Sequence, residues 1–154
     1  MASATPPLDQ EPAQLGHLTD LVGYHLRRAV SVVGNDFSRA LAGTGIRQVL
    51  FGILSIVGAN PGINQGAVGR ALGIQRANMV SLINELVDRE LIDRATAEDD
   101  RRAFSLTLTK AGEGMTRQCL SRIRAHEDGL LSELTAKERK ILLTLLSKIE
   151  AKET

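Results

Sequence analysis

Gly73 is the residue around which the rest of the chain has to be arranged. On its N-terminal side Asn64 stands where a helix N-cap belongs, and Val68, Ala71 and Leu72 give a short helix one apolar face. On its C-terminal side a helix from Gln75 to about Arg89 carries Met79, Ile83, Leu86 and Val87 on one face, with Arg76, Asn78, Ser81, Asn84 and Glu85 off that face. Two short amphipathic helices flanking a glycine turn outline a helix-turn-helix.

A hairpin succeeds the second of these helices. Leu91 to Ala95 and Ala103 to Thr109 are short enough for strands, and in the second Phe104, Leu106 and Leu108 alternate with Ser105, Thr107 and Thr109. The connecting loop, roughly Thr96 to Arg102, is polar and charged, so the hairpin projects a charged wing beside the helix-turn-helix.

Longer helices flank this unit. Leu15, Leu18, Val22, Leu26, Ala29, Val33, Phe37 and Ala40 recur at steps of three and four, which predicts one long helix ending near Gly43. Ile46, Val49, Leu50, Ile53, Leu54 and Val57 predict a second helix, stopped by the breaker run from Gly58 to Gly62. Thr109 caps a long helix with Met115, Cys119, Ile123, His126 and Leu130 on its stripe, reaching about Leu134. Thr135-Ala136-Lys137-Glu138 is a capping-box pattern opening a last helix with Ile141, Leu142, Leu145, Leu146 and Ile149 on one side. The fold class is therefore mainly α with a small β-hairpin wing: a winged helix-turn-helix of six helices. Packing the terminal helices together, and against a second copy, hides both apolar stripes, so a homodimer through the N- and C-terminal helices is expected. Residues 1–14 are expected to be a disordered tail, 15–43 and 110–154 the helical dimerisation region, and 44–109 the winged helix-turn-helix DNA-binding domain.

A chain of 154 residues, 43% of them hydrophobic and only 3% aromatic, suits one globular unit with an aliphatic core. The net charge of +1 is too small to announce a nucleic-acid partner, so any basic footprint must come from local placement. From Asn64 to Asn84 there are two arginines, Arg70 and Arg76, and no acidic residue. The single Cys119 excludes an intramolecular disulfide, no signal-peptide pattern opens the chain, and the longest apolar run, Val49 to Ala59, is too short for a bilayer. A cytoplasmic protein with no membrane partner is expected.

The order of elements and the wing residues resemble the MarR family of winged helix-turn-helix regulators, over roughly Leu15 to Lys152. The run Asn64 to Ile74 is similar to the family's first helix and turn, and Met79, Ile83 and Leu86 fall on the apolar positions of its recognition helix. Leu91-Ile92-Asp93-Arg94 resembles the start of the wing, and Asp100-Arg101-Arg102 with Ser105 to Gly112 resembles its tip and the start of the fifth helix. Two positions depart from the pattern. Glu90 stands where the family commonly has Gly, and a left-handed backbone there would cost about 1 kcal/mol. Gly69 replaces the usual Ala, costing about 0.5 to 1 kcal/mol in mid-helix while permitting closer helix approach.

The resemblance implies a repressor that binds a pseudo-palindromic operator in double-stranded DNA as a homodimer. In that geometry Gln75 and Asn78 can pair with adenine, Arg76 with guanine or a phosphate, and Ser81 with base or phosphate, with Asn64 and Gln65 completing the DNA-facing set. Arg102 is the wing-insertion residue for the minor groove, Asp100 its orienting partner, and Arg101 a phosphate contact. The family also implies release by a small molecule bound between the dimer helices and the DNA-binding lobe. Tyr24, His25, Arg27 and Arg28, with Phe51 on the second helix, are the effector candidates; their chemistry suits an aromatic carboxylate or its CoA thioester.

Other functions find less support. His17, His25 and His126 lie apart, there is no HExxH, paired CxxC or glycine-rich phosphate loop after a strand, and no catalytic group, cofactor or metal site is nominated. A thiol redox sensor using Cys119 is the main alternative, but Cys119 sits in an apolar stripe where a core role is expected. A winged-helix module for protein interaction is the other alternative, and the acid-free stretch from Asn64 to Asn84 argues against it.

Overall fold

The computed structural model describes residues 13–96 and 104–152. Within them α1 (Val22–Ala40), α2 (Gln48–Ala59), α3 (Gln65–Ala71), α4 (Arg76–Asp88), α5 (Lys110–Leu130) and α6 (Ala136–Glu150) surround a small antiparallel sheet of β1 (Ile63–Asn64), β2 (Ile92–Thr96) and β3 (Phe104–Leu108). The strand order is β1-β3-β2, with Ile92 opposite Leu108, Arg94 opposite Leu106 and Ile63 opposite Leu106 on the other edge.

The single long N-terminal helix is not observed. Gly16–Asp20 is a 3-10 turn, Leu21 is extended (φ −91°, ψ 107°), and α1 begins after it. Apolar steps of three and four are shared by 3-10 and α segments, so the spacing carried no sign of the break. The β1 strand is also additional to the expected hairpin; two residues are too few to display alternation. Ala71, assigned to the buried face of α3, is exposed, and Gly69 is buried there instead.

Local chemistry sets the helix ends. The Asn64 side chain accepts from Ala67 N–H at 2.8 Å, and Thr109 Oγ1 accepts from Gly112 N–H at 2.9 Å. Thr135 and Glu138 form the reciprocal capping box that their spacing predicts. The ends of α3 and α4 share one hydrogen-bond pattern. Ile74 N–H reaches Gly69 O at 2.8 Å past Gly73 (φ 63°), and Leu91 N–H reaches Leu86 O at 2.9 Å past Glu90 (φ 57°). Glu90 thus adopts the left-handed backbone that glycine takes without penalty.

The core is centred on the middle of the chain. Leu50, Ile53, Leu54, Val57, Val68, Met79, Ile83, Leu86, Ile92 and Leu106 are fully enclosed, and Cys119 joins them from α5. Gly112 explains how α5 enters: a Cβ there would lie 2.0 Å from Leu91 O. The segment joining α1 to α2 is tied down by distant arginines. Arg89 donates to Gly45 O at 2.8 Å, and Arg122 donates to Ala42 O at 2.8 Å. Along the α1–α5 contact, His126 Nδ1 lies 3.1 Å from Asp36 Oδ1.

Candidate nucleic-acid interface

Helix α4 is held by its buried side so that its polar side is free. Met79, Ile83 and Leu86 are in the core, while Gln75, Arg76, Asn78 and Ser81 are all exposed. Gly69 sets the closeness of α3: a Cβ there would meet Met79 Cγ at 2.9 Å and Ile74 O at 3.1 Å. The missing methyl at this position is what lets α3 and α4 come together.

Several of these polar groups already have partners. Asn64 Oδ1 is committed to capping α3, which leaves its amide N–H groups for a ligand. The Ser81 hydroxyl donates to Asn78 O at 2.9 Å, so its oxygen remains available as an acceptor. Gln75 occupies the N-cap position of α4 without capping it through its side chain. No acidic residue occupies the first turn of α4, and the helix N-terminus adds its own positive partial charge beside Arg76. Glu85 is engaged by Arg47 in an ion pair at 2.5 Å.

Between α3, α4 and the sheet runs a groove of about 570 Å³, lined by Asn64, Gln65, Arg70, Arg76, Val80, Arg94 and Phe104 among others, with no carboxylate among the described residues of its wall. Sequence reasoning gave neither Arg94 nor Val80 a functional role. Arg94 looked like an ordinary strand arginine, and Val80 is an exposed valine off the buried stripe of α4. Asp100, Arg101 and Arg102, the wing-tip candidates, lie outside the described residues.

The effector candidates occupy separate places in the chain. Tyr24 has the guanidinium carbons of Arg27 and Arg28 at 5.8 and 5.9 Å from its ring centre, and His25 packs edge-on at 5.5 Å. His25 Nε2 is also 2.9 Å from Thr19 O. Phe51 packs edge-on against Phe37 with centroids 6.0 Å apart, in a cleft of about 610 Å³ that Arg47, Val49, Leu72 and Ile74 also line. Phe37 lies thirteen positions along α1 from Tyr24, about 20 Å of helix rise, so one chain does not unite the two groups. Cys119 is fully buried, and burial pushes its thiol pKa up, partly offset by the Thr44 hydroxyl and the charges of Arg122 and Arg89. It is a core residue in this fold and lacks the exposed, depressed thiol that redox sensing needs.

Comparison with known proteins decides the family. Residues 46–103 match the model of the MarR family. The solved structure of the transcriptional repressor CouR bound to a 23-mer DNA duplex is 33% identical, with a TM-score of 0.85 over 91% of this chain and 99% of that one. The chain belongs to the MarR family. MarR proteins are DNA-binding transcriptional regulators rather than enzymes, and this winged-helix chain is one of those regulators. CouR bound to p-coumaroyl-CoA, also 33% identical, gives a lower TM-score of 0.77 over 93% of this chain and 100% of that one. A putative transcriptional regulatory protein for the hcr operon of Thauera aromatica is 29% identical over 146 residues, 93% of this chain and 88% of that protein. No helix among the described residues is long and apolar enough to cross a membrane.

Proposed function

We propose that the chain is a repressor that binds a pseudo-palindromic operator as a homodimer and is released by an aromatic acid or its CoA thioester. The observation that carries the DNA half is the groove between α3, α4 and the sheet, which holds Arg70, Arg76 and Arg94 and, among the described residues, no carboxylate. Gln75 and Asn78 read adenine, Arg76 guanine or phosphate, and Ser81 accepts at a base edge through its oxygen or gives up its bond to Asn78 O to donate to a phosphate; Asn64 and Gln65 contact the backbone at the start of α3. Arg102 enters the minor groove, oriented by Asp100, with Arg101 on a phosphate. Residues 44–109 serve as the DNA-binding unit, and 15–43 with 110–154 as the dimerisation region.

Exposed apolar side chains along α1 and α6, such as Val30, Val33, Ile141 and Leu145, support the dimer. Two copies then present α4 twice, at half-sites about one DNA turn apart.

The effector half rests on the Tyr24, His25, Arg27 and Arg28 cluster, whose two guanidinium groups suit an anion, and on Phe51 for an aromatic ring. CouR's own ligand, p-coumaroyl-CoA, combines an aromatic acyl group with an anionic carrier. Such a ligand releases DNA only through differential affinity for a conformation with the wrong recognition-helix spacing. The test is footprinting on the DNA upstream of the gene, repeated with p-coumaroyl-CoA and with free aromatic acids. A symmetric footprint lifted by one of these supports the proposal; protection that none of them alters overturns the effector half, and no protection overturns the whole.

A further inference from the structure

The groove contains one arginine whose direction is already set. Arg94, on β2, places its guanidinium carbon 4.9 Å from the centre of the Phe104 ring on β3 and donates from Nη1 to Asn84 Oδ1 of α4 at 3.0 Å. Phe104 is 44% exposed and lines the groove, so its ring is open to the guanidinium. Asn84 is half-buried on the recognition helix. Arg94 is thus braced from two elements at once, the helix on one side and the far strand of the hairpin on the other.

Among the described residues, the bracing leaves most of its hydrogen-bonding capacity unspent. A guanidinium has five N–H donors in a fixed fork, and one is committed to Asn84. Among the described residues no carboxylate is paired with Arg94; the described ion pairs involve Arg47, Arg117, His126 and Arg139. The side chain therefore carries a full positive charge into a groove shared with Arg70 and Arg76, at the junction where α4 meets the wing.

We infer that Arg94 is a positioning contact for a DNA backbone phosphate at the root of the wing, preset by Phe104 and Asn84. The ligand class is a phosphodiester, chosen because the planar fork matches phosphate oxygens bidentately and because a side chain held between helix and wing has no freedom to follow base edges. Its contribution is then to affinity and register, shared by every DNA sequence, and base selection falls to α4. Phe104 acts through Arg94: it holds the guanidinium flat and has no DNA contact of its own. This role rests on the DNA-binding reading of the groove.

The experiment measures binding of the full chain to two duplexes of equal length, one of unrelated sequence and one carrying the footprinted site, between about 50 and 200 mM salt. Because the unrelated duplex is included, failure of the operator or effector proposals does not obscure the outcome. Replacing Arg94→Ala lowers the slope of log affinity against log salt by about 0.9 per protomer and weakens both duplexes by the same factor. Arg94→Lys restores the slope on both duplexes. Phe104→Leu keeps the slope and weakens binding about two- to fivefold per protomer, the loss of the ring platform. An unchanged slope for Arg94→Ala, with Arg94→Lys folded and equally unaffected, overturns the inference. A loss confined to the footprinted duplex also overturns it, since that marks a base reader.

Discussion

The middle of the chain and its two ends handle apolar surface in opposite ways. From α2 to β3 most aliphatic side chains, Val80 apart, are withdrawn from solvent: Leu50, Ile53, Leu54, Ile83 and Leu106 are all at 0% exposure. At the ends, Val30 is 71% exposed on α1 and Leu143 is 66% exposed on α6, although both helices are as amphipathic as those of the middle. The winged unit holds most of the core, with Leu41 and Cys119 added from its flanks, whereas α1 and α6 leave apolar faces exposed in the single chain. Stability of the winged lobe is therefore a property of the single chain, and the proposed spacing of two lobes is a property of the pair.

The contrast breaks first at α6. Leu145→Asp places a charge on the face assigned to the dimer and should convert the protein to a monomer in analytical ultracentrifugation at micromolar concentration, while circular dichroism keeps the parent's helix content. A variant that stays dimeric would remove that face from the interface. Ile53→Ala acts on the other region: it should cost about 2 to 5 kcal/mol of stability by opening a cavity in the lobe, read as a lower melting temperature. A cost below about 1 kcal/mol would mean that the middle of the chain does not hold the core.

Smaller effects sharpen the same contrast at helix ends. Glu90→Gly should stabilise the lobe by up to about 1 kcal/mol in thermal melts, because the left-handed backbone would no longer strain a side chain. No gain would indicate that the freedom added to the unfolded chain offsets the relief. The smallest expected effect is in α6, where the Thr135 hydroxyl and backbone N–H hold the Glu138 carboxyl below its usual pKa. A depressed carboxylate stabilises the fold above its unfolded-state pKa, and that contribution is lost as pH falls through the folded-state value. Melts of Thr135→Ala and the parent should thus differ at neutral pH and draw together in acid; a gap that widens in acid would contradict the capping role.

Much of the helical layout was legible because the signals are local. Asn64, Thr109 and Thr135 cap helices three residues ahead of the N–H groups they receive, and Gly73 stops α3, all within one turn of chain. The recognition-helix candidates Gln75, Arg76, Asn78 and Ser81 were separable from Met79 and Ile83 by period alone. The effector candidates were a different matter: Tyr24 and Phe51 were grouped by chemical type, and the fold packs Phe51 of α2 against Phe37, thirteen positions along α1 from Tyr24.

By itself the sequence determined which faces are apolar, where helices start and stop, and that a winged helix-turn-helix is the economical arrangement, since caps, turns and periodicity act between residues a few positions apart. Only the tertiary structure decided the break at Leu21, the third strand at Ile63, the hold of Arg89 on Gly45 across 44 positions, and the bracing of Arg94 between Phe104 and Asn84. All but the break at Leu21 depend on two segments meeting in space. The free energy of such a meeting comes from burial and from hydrogen bonds between elements, which no local pattern of side chains encodes.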